Sequence, residues 1–267
     1  VDNDPDNVIY QYYKGCIDYF NLYIGLQMGK ENVSEDFAKV VESYKSVLIL
    51  KPDYHEAKLF LVELFAMLPS NMGGDSAKAE MYVRELEEAD VVSGAKAREI
   101  VMPEDADYIE FWQKIEEKQM DNADVHEALG KVYLYHENIE EATKCFETAI
   151  SLNAKKNILY VDLGRYYTMQ AMQNPAKLDS LAPLIKNAFE TYLESQPEPI
   201  NPLKAFVIGN LARIEFNTGD NENGEKLNKE AMALDPNYSK AFGTPSQILF
   251  DPPDEISRVH VYFFRPF

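Results

Sequence analysis

The side chains best suited to chemistry are few and scattered in this sequence. Four histidines occur, His55, His126, His136 and His260, together with two cysteines, Cys16 and Cys145. A structural zinc site needs about four such ligands at close, regular spacings. The His-Glu-x-x-His pattern, which sets two imidazoles on one helical face, is absent. His126 and His136 fall on or near one helix but point in different directions. Acidic pairs are plentiful, as at Glu87-Glu88, Glu116-Glu117 and Glu140-Glu141. Adjacent helical positions do not face one another, so these pairs read as solvated faces rather than acid–base couples. Gly73-Gly74 lacks the Gly-Lys-Ser/Thr that would follow in a phosphate loop, and neither a Gly-x-Ser-x-Gly elbow nor a dinucleotide fingerprint occurs. The sequence therefore predicts no catalytic residue, no metal and no cofactor, and a non-enzymatic chain.

Charge narrows the partners. The chain of 267 residues carries 45 acidic and 26 basic side chains, a net charge of −19. Phosphate binding needs clustered Lys and Arg, so neither nucleic acid nor an anionic membrane surface fits as a partner. A basic protein partner is permitted, although a solvated acidic surface accounts for the same charge. No stretch reaches the roughly 18 apolar residues of a membrane-spanning helix. The runs Val47 to Leu50 and Leu59 to Leu68 are broken by Lys51-Pro52-Asp53 and by Glu63. The cysteines fall in different helical segments and form no disulfide framework. Cys145, beside Phe146, reads as a small buried apolar residue. The chain opens on Val1, as expected after cleavage of an export signal or after trimming.

What remains is the scaffold, and its clearest stretch runs from Ala123 to Ala154. Leu129-Gly130 is followed by Tyr133, and then by Ala142, Phe146 and Ala149 at helical spacing. Positions three and four apart share a helix face, so Leu129, Val132 and Tyr133 form one stripe. Gly130 and Ala142 let two helices approach closely, and Phe146 fills the gap a turn further on. His136-Glu137-Asn138 breaks the run between the two. The pattern recurs forward as Leu163-Gly164 and Tyr167, and backward as Tyr108, Trp112 and Ile115. The period is that of the tetratricopeptide repeat, about 34 residues.

The chain thus resembles the tetratricopeptide repeat (TPR) family over most of its length. The resemblance implies an all-α, right-handed solenoid of about six helix pairs with an extended C-terminal tail. The expected pairs are 6–50, 55–90, 93–120, 123–152, 157–196 and 202–235, followed by a cap, in one array over 1–250. Residues 170–182 read as an insertion. Val40, Tyr44 and Val47, then Leu61, Val62 and Phe65, then Ala79, Val83 and Leu86 take packing positions. Glu215 and Asn228 depart from the pattern in the last pair, which suits a terminal unit whose outer face meets water.

In that family the first helices line a concave groove that holds a peptide or protein partner. Carried over by register, the groove takes Lys131, Leu134 and Tyr135 from one pair and Arg165 and Met169 from the next. Phe206, Arg213 and Phe216 come from the last. Asp124, Glu127, Ile158, Val161, Thr168, Gly209 and Asn217 share those phases. Lys131, Arg165 and Arg213 stand at one phase in three pairs and are expected to form a cationic ladder that clamps a peptide carboxylate or an acidic segment. Pairing with Glu127 and Asp162 is the competing expectation.

Two other readings follow from shorter stretches. Gly73-Gly74-Asp75, with Lys78 and Ala79, is similar to a segment of the periplasmic TPR accessory proteins of tripartite ATP-independent transporters. That similarity implies a bacterial cell envelope, an apolar acid as ligand, a solute-binding protein as partner and a closed cavity lined by the aromatics of residues 10–23. The tail, Val259 to Phe267, is too apolar to hang free and is expected to lie along the array or to join copies into a homo-oligomer.

Overall fold

A computed structural model describes residues 4, 6–30 and 33–235. The expected cap, the tail at 251–267 and His260 lie outside the described residues. Twelve α-helices and three short 3-10 turns account for the regular structure of the described residues, with no strand among them. Among the described residues the chain is all-α and built largely of consecutive helix pairs, as the repeat implies. Its compact units divide between Tyr108 and Ile109.

In the first unit Asn7 caps α1 (Val8–Gln27), its side chain accepting from the Ile9 and Tyr10 amides. α2 (Ser34–Leu50) returns beside α1, and Val40, Tyr44 and Val47 are fully buried, as their spacing predicts. α3 (His55–Met67) and α4 (Ser76–Ala89) form the next hairpin. It buries Leu61, Val62, Phe65, Ala79, Val83 and Leu86 in the same core. Aromatic rings tie the two hairpins together. Tyr44 stacks on Phe60 at 4.9 Å, and Tyr12 meets Phe60 edge-on at 6.1 Å. α5 (Val91–Val101) follows after the single residue Asp90, which both ends α4 and caps α5. With no loop to swing away on, α5 folds back against α3 and α4. Arg98 then reaches Glu80 at 2.9 Å and Glu87 at 2.8 Å.

The turn before α4 explains Gly73-Gly74-Asp75 locally. A Cβ on Gly74 would sit 1.6 Å from the Leu68 carbonyl oxygen, so only glycine fits against that backbone. The Asp75 carboxylate accepts from the Lys78 amide at 3.1 Å and pairs with the Lys78 ammonium at 2.8 Å. The segment therefore closes a tight turn and starts a helix. Because a backbone oxygen cannot swing aside as a side chain would, Gly74→Ala is expected to cost about 1–3 kcal/mol in urea unfolding. Of the aromatics expected to line a cavity, Tyr12 is buried in the core, whereas Tyr10, Tyr13 and Phe20 are more than half exposed.

The second unit starts within α6 (Tyr108–Glu116), whose Trp112 is fully buried. Three hairpins follow. They are α7 (Ala123–Tyr135) with α8 (Ile139–Leu152), α9 (Leu159–Gln173) with α10 (Leu178–Glu194), and α11 (Asn201–Thr218) with α12 (Asn221–Leu234). One device sets the close approach in all three: a glycine on one helix under a phenylalanine ring of the other. A Cβ on Gly130 would lie 2.5 Å from the Phe146 ring, and one on Gly164 2.4 Å from Phe189. In the last hairpin the partners change sides, with Phe216 of the first helix lying over Gly224 of the second.

One expectation is refined here and another corrected. The stretch read as an insertion, 170–182, lengthens both helices of its pair: α9 runs on to Gln173 and α10 begins at Leu178. Glu215 does not face water. It is 8% exposed, and its carboxylate accepts from Lys186 of α10 at 2.6 Å and from Asn223 of α12 at 2.9 Å. Donors from both flanking helices satisfy the two oxygens, which is what lets a charge sit at an inward position.

Candidate functional site

The residues expected to line a groove lie on α7, α9 and α11, and all eight are open to some degree. Lys131, Leu134, Arg165, Met169, Phe206, Arg213 and Phe216 are half-buried and Tyr135 is exposed. The three cations keep a common phase but not common company.

Lys131 is tied to acidic neighbours. Its ammonium pairs with Glu127 at 2.5 Å and lies 3.9 Å from Asp162 on α9. Lys156, in the 3-10 turn before α9, pairs with both Asp124 and Glu127. This lysine was missed in the sequence because it lies outside the repeat phase. Burial by itself raises the Glu127 pKa, but Lys131 and Lys156 more than reverse that and hold it at about 2. Asp162 goes the other way. Burial raises its pKa, the Lys131 and Arg165 charges oppose this only in part, and its Oδ2 is buried without a hydrogen-bond partner among the described residues. Carboxylates already balance the cations on this part of the face.

α11 differs. Ala205, Val207 to Ala212, Ile214 and Glu215 are all buried, so the helix is enclosed on nearly every side. Phe206, Arg213 and Asn217 remain open, at spacings of seven and four that keep them on one line. Asn210 completes that line from within. Its amide donates to the Phe206 carbonyl at 2.7 Å and its Oδ1 accepts from Arg213 Nη1 at 3.2 Å. Asn217 in turn donates to the Arg213 carbonyl at 2.7 Å. Arg213 Nε is buried with no hydrogen-bond partner, and the guanidinium has no carboxylate partner among the described residues. Phe216 is turned away from this line toward α12, where its ring covers Gly224. Asn210 carried no signal of its own in the sequence. What recommends it is its place one turn before an arginine at helical spacing.

The histidines are spread through the structure. His55 Nδ1 lies 3.1 Å from Ser93 Oγ, His126 donates through Nε2 to the Met120 carbonyl at 2.7 Å, and His136 is exposed at the end of α7. Among the described residues no group of three His, Cys, Asp or Glu side chains is placed to hold a metal ion, and no helix is long and apolar enough to cross a membrane.

No family model matches the sequence, and no curated protein sequence matches it. Among solved structures the chain is similar to the crystal structure of MamA protein. The likeness covers 85% of this chain and 94% of that one, at 16% identity and a TM-score of 0.38.

Proposed function

We propose that the chain is a non-catalytic binding protein whose second unit holds an extended segment of a protein partner along α11, with Arg213 receiving a carboxylate of that segment. One observation carries the reading. In a chain with net charge −19, Arg213 is half-buried and its guanidinium is hydrogen-bonded only to the Asn210 side-chain amide, with no acidic partner among the described residues. Placing a guanidinium partly out of water without a counter-charge costs free energy, and a bound carboxylate recovers it through charge-assisted hydrogen bonds. Phe206, two turns back on the same line, offers an apolar contact to the residue beside that carboxylate. Lys131 and Arg165, with acids already around them, serve to keep the neighbouring helices in register.

The test is a library of immobilised apolar peptides, each made with a free C-terminal carboxylate and with an amidated end. Peptides that bind should prefer the free carboxylate by about 10–100-fold, a difference of roughly 1.5–3 kcal/mol. Arg213→Ala should abolish the preference, and Phe206→Ala should weaken both forms. The combined Lys131→Glu, Arg165→Glu and Arg213→Glu chain should then retain no carboxylate peptide. Equal binding of free and amidated peptides, unchanged by Arg213→Ala, sinks the reading.

A further inference from the structure

α1 is apolar on both sides, and only one side is used. Tyr12, Gly15 and Leu22 are buried against the rest of the first unit, while Ile9, Tyr13, Ile17, Phe20, Ile24 and Met28 are each 39% to 81% exposed. A helix that is apolar all round normally has cover all round. The spacing of the open residues is four, four, three, four and four, an 11-residue repeat that keeps a stripe nearly straight along a helix. The stripe runs the whole helix, roughly 30 Å.

We infer that this stripe is a dimerisation face that pairs antiparallel with the same stripe of a second copy of the chain. The spacing reads the same in both directions. A two-fold axis beside residues 18 and 19 brings Ile9 level with Met28 of the second copy, Tyr13 with Ile24 and Ile17 with Phe20, each pair occurring twice. That self-complementarity is what an isologous interface requires.

Charge selects the same occupant. α1 carries only Lys14 and Asp18, which pair at 2.7 Å and share Ser43, Lys14 at 2.6 Å and Asp18 at 2.7 Å. The face is thus neutral on a chain of net charge −19, so two copies meet here without bringing their acidic surfaces together. A basic partner would be drawn to the acidic surfaces instead. The six open side chains offer on the order of 600–700 Å² per copy, close to the roughly 800 Å² per partner of a standard interface. The inference stands apart from the α11 reading, since neither needs the other.

Sedimentation of the full chain over a wide concentration range should show a monomer–dimer equilibrium. Phe20→Glu, and separately Ile17→Glu, places two charges in the buried seam and should weaken the dimer roughly a hundredfold or more. Both side chains are open in one copy, so the helical circular dichroism should not change. Register is read with a short thiol cross-linker, taking the unaltered chain with Cys16 and Cys145 as the baseline. A mixture of Ile9→Cys and Met28→Cys chains should cross-link, and neither variant alone should do so. A monomer at every concentration, a dimer indifferent to Phe20→Glu, or cross-linking of Ile9→Cys to itself overturns the proposal. So does a monomer that co-sediments with phosphatidylcholine vesicles, which would assign the stripe to lipid.

Discussion

Phe146→Ala is expected to cost about 3–5 kcal/mol in chemical denaturation, at the upper end for removal of a single core side chain. Phe146 is fully buried, and its ring is the surface on which Gly130 rests. The more telling result comes from the glycine. In the parent, Gly130→Ala places a methyl 2.5 Å from the Phe146 ring and 3.1 Å from Cys145 Cβ. The ring is packed on all sides, so the overlap should cost about 1–3 kcal/mol and outweigh the roughly 1 kcal/mol by which alanine favours a helix interior. With Phe146→Ala already in place, that same methyl enters vacated space. Gly130→Ala should then be neutral or stabilising. A reversal of sign across the double-mutant cycle is the outcome expected of two groups that share one volume. Additive effects would mean that the α7–α8 approach is set elsewhere.

This pair also marks how far the sequence alone reaches. Gly130 and Phe146 were legible because spacing along a helix fixes which residues share a face, and the crossing repeats at Gly164 and Phe189. The hairpins α1–α2, α3–α4, α7–α8, α9–α10 and α11–α12 were legible for the same reason, since each is a local pattern of apolar positions, whereas the expected pair 93–120 spans the division between the units, with α5 packed on α3 and α4. Where meaning depends on a partner far along the chain, the reading failed. Glu215 looked like an outward polar residue because its donors, Lys186 and Asn223, sit on two other helices. Asn228 stands where the earlier hairpins have phenylalanine, and nothing local announces that Phe216 and Gly224 exchange roles instead. The cationic phase of Lys131, Arg165 and Arg213 was visible, but which of them had acids beside it was not. That depended on Lys156, which lies outside the repeat, and on Asn210, whose amide takes the place of a carboxylate. On α1 the sequence placed aromatics on more than one face but left open whether the helix is sandwiched. The structure gives one side to the core and leaves the other open.

Glu127→Gln should be the most damaging change to any single charge on the first-helix face, and its cost should depend on pH. At neutral pH the Glu127 carboxylate, 14% exposed, accepts from both Lys131 and Lys156. Glutamine keeps one acceptor oxygen and turns an NH₂ toward the second ammonium, so Lys131 and Lys156 lose their shared carboxylate and fall back on Asp162 and Asp124. A loss of about 2–4 kcal/mol is expected at pH 7. The sign with pH follows from the lowered pKa. A carboxyl that titrates near 4.5 when unfolded and at about 2 when folded stabilises the fold above 4.5 and loses that contribution as pH falls toward 2. The full span corresponds to on the order of 3 kcal/mol. The variant lacks this component, so the stability gap between the two proteins should narrow as pH falls from 5 to 3 and close near pH 2. Asp162 provides the opposite sign in the same cluster. Its folded pKa is raised, so its contribution is full at low pH and is lost as pH rises above the ordinary carboxylate range. Asp162→Asn should therefore be neutral or stabilising at pH 7, and its benefit should shrink on acidification. Urea midpoints for the parent and both variants across this range measure all of these effects. A Glu127→Gln deficit that stays constant with pH would mean that the two lysines do not depend on that charge, and that Asp124 and Asp162 suffice to hold them.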